Sequence, residues 1–420
     1  PAAARYKCAP MDPNTVNTNT LLVFAFVYLG MILGGIPGWA LDRTGVALLG
    51  AILLLAGECI DPQTAWEAID VSTIGLLFGL MVVSAQFRLC GLYSAITRRL
   101  AAAEVSPDRL LLLLIVVVAV LSAVLANDIV CLAVAPLLVE GCLRRGLKPT
   151  PFLLALACAS NIGSAATLIG NPQNMLIGQK LQLNFAGYLL DGVAPAILGC
   201  LATWWIIRWR VRGDWHTAPR QISAAGRPFN RWQTTKGLIV LSCLLAGFLF
   251  SPWPRDVLAL AAAGWLLLSR KMHSNTMLGL VDWQLLVLFG GLFIVNRAML
   301  DSGMTAQALH SLNNAGLRLE RPEWLFIVTT ILSNIVSNVP AVMLVLPAAT
   351  HPQAGAVLAL SSTLAGNLFI VGSIANIIVV EQAARLGVKI SWREHARVGV
   401  PVTLATLLLA AGWLLLRAHV

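Results

Sequence analysis

The chain has 420 residues, of which 58% are hydrophobic and only 11% are charged, and its mean hydropathy is +0.79. These values lie outside the range of soluble globular domains and indicate an integral membrane protein. The apolar runs are continuous and do not alternate, which excludes a β-barrel and favours an all-α polytopic fold. The net charge of +10 is then expected to mark cytoplasmic loops, and no nucleic-acid partner is expected.

In chain order, the sequence predicts a polar N-terminal segment 1–20, a first repeat 21–207, a basic linker 208–235 and a second repeat 236–420. The N-terminal segment resembles neither a signal peptide nor an amphipathic anchor. Met11 is a candidate natural start, so residues 1–10 are left out of the fold prediction. The apolar segments are enough for about 10 to 11 transmembrane helices.

Segment 110–139 contains "SAVLANDIVCLAVAP", in which Asn127 and Asp128 interrupt a long apolar run. We expect a re-entrant hairpin that turns here, with the Asn127 side chain capping the returning helix. A carboxylate at membrane depth costs at least about 2.5 kcal/mol, so Asp128 is a functional candidate. Three roles remain open for it: a proton carrier that couples transport, a cation ligand, or a structural acceptor of backbone amides at the turn.

The next segment, 152–177, predicts a broken helix. Gly163, Gly170 and Pro172 lower its helix propensity, and proline also removes a backbone donor. Its neutral polar residues are candidates for binding substrate: Ser160, Asn161, Thr167, Asn171 and Asn174.

The second half repeats these elements. A shift of 211 positions matches Ser122, Asn127 and Pro136 with Ser333, Asn338 and Pro347, and a shift of 202 matches Asn174 with Asn376. We therefore expect a second hairpin, 324–347, and a second broken helix, 354–380. Their candidate substrate-binding residues are Ser337, Asn338, Ser362, Thr363, Asn367, Ser373 and Asn376. Such residues also join transmembrane helices, so for any single one a packing role is an equal alternative.

The distribution of basic residues sets the expected orientation. If the loop 208–236 is cytoplasmic, most of the 29 basic residues face the same side and the acidic loop 58–70 faces the other. Hairpin 110–139 then opens to the inside and hairpin 324–347 to the outside. Inverted repeats with interrupted helices indicate a secondary transporter whose site lies near the membrane midplane.

Other residue types carry little chemistry. The eight cysteines show no metal-ligand spacing, so we interpret them as small hydrophobes and expect no metal site. Arg297 stands near a segment end, where it can extend to the interface; contact with substrate or with Asp128 is the alternative. No HExxH motif and no intramembrane Ser/His or Asp/Asp pair supports an enzyme.

"AND" at 126–128, with the apolar run that ends at Pro136, resembles the arsenite efflux permease branch of the ion transporter superfamily. "SNIGSAATLIGNPQN" is similar to the broken-helix motif of bacterial members, which include citrate transporter-like proteins and divalent anion:sodium symporters. The resemblance implies elevator-type alternating access in a bacterial inner membrane, a homodimer in some members, and a cytoplasmic ATPase partner for an arsenite pump. It implies no cofactor beyond a proton or sodium gradient.

The hairpin tips decide among the functions that the resemblance implies. Sodium-coupled dicarboxylate members carry Ser-Asn-Thr at each tip, whereas this chain has Ala-Asn-Asp at 126–128 and Ser-Asn-Val at 337–339. This favours a proton-linked transporter of a small anion or oxyacid, with arsenite or antimonite efflux as its sharpest form. A sodium-coupled anion symporter and a sodium/proton antiporter are the alternatives. Cys131 and Cys158 lie near the predicted site, but tight thiolate ligation of arsenic would hinder its release.

Overall fold

The computed structural model describes residues 13–221, 226–269 and 271–418. Across these ranges the chain forms twenty α-helices and two short 3₁₀ helices, with no β-strand. The predicted all-α class is therefore confirmed. Some parts of the sequence lie outside the described residues. They include residues 1–12 of the predicted polar segment, which contain Cys8, residues 222–225 of the basic linker, and Arg270.

The helices divide into two series. Those of the first series are α1 (Pro13–Leu33), α2 (Arg43–Ala56), α3 (Pro62–Ala68), α4 (Val71–Leu89), α5 (Leu92–Ala102), α6 (Pro107–Val124), α7 (Asn127–Arg144), α8 (Pro149–Ser164), α9 (Pro172–Lys180) and α10 (Phe185–Val211). Those of the second are α11 (Arg231–Phe250), α12 (Arg255–Leu267), α13 (Ser274–Leu278), α14 (Trp283–Asp301), α15 (Met304–Asn314), α16 (Pro322–Val336), α17 (Asn338–Val345), α18 (Ala354–Ala365), α19 (Ile374–Arg385) and α20 (Trp392–Ala418). The 3₁₀ helices are η1 (Leu346–Ala348) and η2 (Ile370–Gly372).

Among the described residues, seven helices are long and apolar enough to cross a membrane, namely α1, α4, α6, α10, α11, α14 and α20. Four apolar elements are shorter: α2, α16, α17 with η1, and α18. Such short elements suit a membrane protein only where they lie against other protein or line a cavity, because their ends expose unpaired backbone groups. The seven long apolar helices make the chain an integral membrane protein.

The two series match element by element. Helices α4 and α14 each have 19 residues, α5 and α15 have 11, and α10 and α20 have 27. The sides of the membrane on which the two halves open stay a prediction.

The chain divides into two compact units. Of the described residues, those up to 70 and 283–317 form the first unit, and those from 71 to 282 and from 318 onward form the second. In the first unit α14 packs on α2, where a Cβ added to Gly291 would lie 2.8 Å from the Ala47 backbone. In the second unit α4 packs on α12, where a Cβ added to Gly79 would lie 2.6 Å from the Ala259 backbone. Glycine allows close helix approach in both pairs.

Each half has two places where the helical structure is interrupted, and all four lie in the second unit. Helix α6 ends at Val124 and α7 begins at Asn127, while α16 ends at Val336 and α17 begins at Asn338. Helices α8 and α9 are separated by residues 165–171, and α18 and α19 by residues 366–373, which include η2. These four interruptions bring irregular backbone into the middle of the helical unit.

One predicted helix breaker has a different role. Gly163 lies inside α8, and a Cβ added to it would stand 2.4 Å from the Ala119 Cα on α6. The expectation that Gly163 unwinds the helix is therefore wrong, because this glycine serves close packing of α8 on α6. Pro172, in contrast, is the first residue of α9, where the missing N–H costs nothing.

Candidate functional site

Asn161 lies at the centre of a buried group of amide side chains. Its Nδ2 donates to Asn367 Oδ1 at 2.9 Å and to Asn376 Oδ1 at 3.1 Å. Its Oδ1 accepts from Ser373 Oγ at 2.9 Å and from Asn127 Nδ2 at 3.4 Å. The sequence placed these five residues on a hairpin tip and two broken helices, and the structure joins them around one carboxamide. We call Asn161 and these four partners the amide cluster.

A second set of polar side chains adjoins the amide cluster through Ser164. The Ser164 hydroxyl donates to the Asn161 carbonyl at 2.8 Å and accepts from Asn171 Nδ2 at 2.9 Å. Asn171 Nδ2 also donates to Thr363 Oγ1 at 3.2 Å, and Thr363 donates to Asn174 Oδ1 at 3.2 Å. These bonds connect the broken helices of the two halves with neutral groups only.

The asparagines Asn174 and Asn376 hold the unwound backbone in place. Asn174 Nδ2 donates to the carbonyls of Ser164 at 3.4 Å and Thr167 at 3.0 Å. Asn376 Nδ2 donates to the carbonyls of Gly366 at 2.8 Å and Phe369 at 3.0 Å. Buried carbonyls that a broken helix leaves open need such partners.

The tip asparagines do not cap their helices. Asn127 and Asn338 are the first residues of α7 and α17, one position after the caps, and no cap side chain bonds to either helix end. The Asn338 amide instead donates to the carbonyls of Ser362 at 3.0 Å and Gly372 at 3.2 Å. The predicted capping role is therefore wrong, because both side-chain amides donate to residues of the broken helices and not to the ends of their own helices.

Asp128 follows Asn127 in the first turn of α7 and is half-buried. Among the described residues, no side chain or backbone amide donates a hydrogen bond to its carboxylate, and no cation pairs with it within 4.0 Å. These contacts do not support the alternative in which Asp128 accepts backbone amides at the turn. The proton-carrier and cation-ligand roles stay predictions.

Three other predicted residues lie around these groups without joining the amides. The Thr167 hydroxyl donates to the Ala123 carbonyl on α6. The Ser362 hydroxyl donates to the Leu358 carbonyl of its own helix at 2.6 Å. Ser337 is half-buried and occupies a left-handed backbone conformation with φ of 76°. The Thr167 contact fits the helix-joining alternative, whereas the Ser362 hydroxyl bonds only within its own helix.

Several polar residues at the site were absent from the prediction. Gln173 is buried and its Nε2 donates to Thr363 Oγ1 at 3.1 Å and to Asn338 Oδ1 at 3.2 Å. The Tyr188 hydroxyl donates to the Ala165 carbonyl at 2.8 Å. Buried His395 bonds through Nε2 to the Asn367 carbonyl at 3.2 Å. Gln173 lies inside the quoted "GNPQN" stretch, so its position was a usable signal; nothing local identified Tyr188 or His395.

Two buried polar atoms of the amide cluster have no hydrogen-bond partner among the described residues: Asn127 Oδ1, an acceptor, and Asn367 Nδ2, a donor. Leaving a buried polar atom unpaired costs about 1 to 3 kcal/mol. Both atoms belong to side chains that contact Asn161. The cluster therefore offers one free donor and one free acceptor on either side of one carboxamide.

The remaining candidates are accounted for by local contacts. Cys131 is fully buried with the Ser160 hydroxyl beside its thiol, and Cys158 is also buried. Arg297 pairs with Asp301 one turn along α14, with Nε 2.7 Å from the carboxylate. The described residues contain no group of three or more His, Cys, Asp or Glu side chains that could hold a metal ion.

Comparison with known proteins identifies the class. The sequence profile of the citrate transporter family, CitMHS, matches residues 26–357. The chain therefore belongs to this family of membrane transporters, which confirms the resemblance noted in the sequence. It moves a small solute across a lipid bilayer.

Relatives match nearly the whole chain, and a solved structure shares its fold. The chain is 29% identical to a 46 kDa membrane protein of Mycobacterium leprae, over 90% of this chain and 94% of that one. It is 27% identical to the silicon efflux transporter LSI3 of Oryza sativa subsp. japonica, over 91% of this chain and 94% of the relative. The YdaH transporter of Alcanivorax borkumensis shares the fold, with a TM-score of 0.53, 14% identity and coverage of 96% and 97%.

Proposed function

We propose that this protein is a secondary active transporter that exports a small, largely undissociated oxyacid in exchange for protons. The most specific candidate substrate is arsenite or antimonite. The observation that carries it is the free donor and free acceptor of the amide cluster, Asn367 Nδ2 and Asn127 Oδ1. An undissociated oxyacid presents both O–H donors and oxygen acceptors, so its groups match the free acceptor and the free donor in kind.

The charge of the cluster supports the same substrate class. Among the described residues, no lysine or arginine hydrogen-bonds to Asn161 or its four partners. Citrate at neutral pH carries several carboxylates, which only accept hydrogen bonds and need compensating positive charge when they leave water. A neutral oxyacid needs no such compensation. The rice relative is named a silicon efflux transporter, which agrees with the proposed direction of transport.

Asp128 is the proposed proton carrier. Its carboxylate adjoins Asn127 in the chain and has no hydrogen-bond donor among the described residues, so its protonation breaks no bond in the structure. A carboxyl group free of structural partners can gain and lose a proton without disturbing the surrounding helices. Proton relays inside membranes use such acidic residues.

Transport into inverted membrane vesicles tests the proposal. We expect uptake of labelled arsenite to rise about tenfold under an imposed proton gradient. A sodium gradient should change arsenite uptake little, and labelled sulfate and citrate should be taken up little under either gradient. Asp128→Asn should remove the dependence on the gradient. Asp108→Asn, at the other end of the same hairpin and 3.9 Å from Arg208, is the matched control and should retain it.

Three outcomes would contradict the proposal. Arsenite uptake that ignores the proton gradient would exclude proton coupling, and gradient-dependent uptake by Asp128→Asn would exclude Asp128 as the carrier. Citrate uptake driven by sodium would replace the oxyacid with the sodium-coupled alternative.

A further inference from the structure

A cavity of about 620 Å³ lies at the meeting point of α7, α8, α10 and α20, away from the amide cluster. Five charged residues line it: Lys148, Arg210, Asp214, Glu394 and Arg397. Its walls also include apolar side chains of α8, α10 and α20. The cavity combines positive groups with apolar walls on the side that the charge pattern predicts to be cytoplasmic.

Two of the three bases are free to bind an anion. Lys148 pairs with Asp214, and the Glu394 carboxylate accepts from the Ser391 N–H at 2.8 Å and hydroxyl at 2.7 Å. Within the described part of the chain, Arg210 and Arg397 form no ion pair within 4.0 Å. Arg397 and the Glu394 carboxylate attract each other electrostatically, but Glu394 takes its hydrogen bonds from Ser391, so the N–H donors of both guanidinium groups stay available.

The cavity lies beside an aromatic surface typical of the lipid interface. Trp205 and Trp209 on α10 are 61% and 49% exposed, and their rings stack with centroids 6.5 Å apart. The Arg210 guanidinium lies over the Trp209 ring at 5.2 Å. Tryptophan is enriched at the level of lipid headgroups, where its ring is apolar and its N–H is polar. The mouth of the cavity is therefore expected at headgroup depth.

We propose that this cavity binds the headgroup phosphate of an anionic phospholipid, with Arg210 and Arg397 donating to the phosphate oxygens. Arginine suits phosphate because its planar donors bond to two oxygens at once. Pro149 and Pro151 at the start of α8 lack N–H groups, so the start of this helix offers few backbone donors and the arginine side chains supply most of them. The apolar walls accommodate the glycerol and upper acyl carbons, which free phosphate does not have.

The bound lipid would anchor one end of a site-bearing helix. Helix α8 begins at the cavity and ends with Ser160, Asn161 and Ser164. Anionic lipid should therefore raise the rate of transport, whichever solute is carried. Lipid binding is independent of the proposed oxyacid, since none of the cavity residues belongs to the amide cluster.

Native mass spectrometry of the purified full chain, titrated with phosphatidylglycerol and with phosphatidylcholine, tests the site directly. The double variant Arg210→Gln, Arg397→Gln should bind phosphatidylglycerol about 25-fold more weakly, at about fivefold for each base, with phosphatidylcholine unaffected. The control is Arg212→Gln, Arg393→Gln. It removes one charge from α20 and one from the residue that follows α10, and the Arg212 guanidinium lies over the same Trp209 ring at 5.3 Å without lining the cavity.

The outcomes separate the candidate ligands. Equal weakening in both double variants would overturn the proposal, because general surface charge would then explain binding. Displacement of bound phosphatidylglycerol by low millimolar inorganic phosphate would also overturn it and make the site one for free phosphate. Should the double variant fail to fold, Arg397→Gln alone must still lower the affinity about fivefold against Arg393→Gln.

Discussion

The two halves of the second unit hold their unwound backbones in the same way but differ at the residues between them. Asn174 and Asn376 are equivalent under the shift of 202, and each donates to the equivalent pair of carbonyls. Each also accepts from the equivalent residue of the other half, Asn174 from Thr363 and Asn376 from Asn161. The repeat therefore preserves the hydrogen bonds that hold the unwound backbone. The two halves differ in that the first has Asn161 where the second has the shorter Thr363.

The hairpin tips differ more strongly. The Asn338 amide has three hydrogen bonds, whereas Asn127 has one from its Nδ2 and none to its Oδ1 among the described residues. Asp128 has no hydrogen-bond or ion-pair partner within the described part of the chain, and its counterpart is the apolar Val339. The Asn338 side chain is therefore fully engaged with its neighbours, whereas Asn127 and Asp128 leave polar groups available to bind a ligand. Matched substitutions at equivalent positions can test this difference.

The largest difference is expected at the glycines of the broken segments. A Cβ at Gly170 would lie 2.4 Å from the Ser164 carbonyl oxygen and 2.7 Å from the Ser122 carbonyl oxygen, which are rigid backbone atoms. At Gly372 the nearest atom is 3.1 Å away. Gly170→Ala should cost about 3 kcal/mol and abolish transport, and Gly372→Ala about 1 kcal/mol. Melting temperature and transport measured on both variants check this; equal losses would contradict it.

The next prediction concerns the residue that distinguishes the two broken helices. Asn161→Thr gives the first half the side chain of its counterpart, Thr363, and removes the bonds to Asn367 and Asn376. We expect transport to fall at least about tenfold, the effect of losing roughly 1.4 kcal/mol of binding. Thr363→Ser, which keeps the hydroxyl, is the control and should transport normally. A normal KM for Asn161→Thr would show that the cluster does not bind the substrate.

The tip asparagines should separate stability from transport. Asn338→Ala leaves two carbonyls and the Gln173 amide short of a partner, so its free energy of unfolding should fall by about 2 to 3 kcal/mol. Asn127→Ala removes one long bond and one unpaired acceptor, so stability should change by about 1 kcal/mol or less. Its KM for the substrate should rise. Thermal melts and uptake kinetics on the same preparations measure both effects, and the reverse pattern would exclude an open first tip.

Sequence reasoning located the interruptions because proline, glycine and asparagine interrupt an apolar run visibly. Both tips lie within one residue of Asn127 and Asn338, and the first broken segment ends at Pro172. Hydrophobic pattern also identified the helical class, since continuous apolar runs admit few other structures in a membrane.

The direction of individual side chains could not be predicted in the same way. Helix α18 is buried on every side, so periodicity contains no signal that turns Thr363 toward Asn174 and Ser362 toward its own backbone. Likewise Gln173 and His395 reach the site through contacts distant in sequence. The missed capping geometry at Asn127 depends on a shift of one residue, which is within the uncertainty of any helix boundary.

The smallest expected effect lies in the backbone of the tips. Ser337 has φ of 76° and ψ of 163°, a region that essentially only glycine adopts, whereas the equivalent Ala126 has φ of −57°. Ser337→Gly should therefore stabilise the protein by about 1 kcal/mol, the strain relieved less the entropy of glycine. Ala126→Gly should destabilise it by about 0.5 to 1 kcal/mol, because it gains flexibility without relieving strain. Opposite shifts in melting temperature are expected, and a loss of transport in Ser337→Gly despite a higher melting temperature would assign its hydroxyl to the substrate.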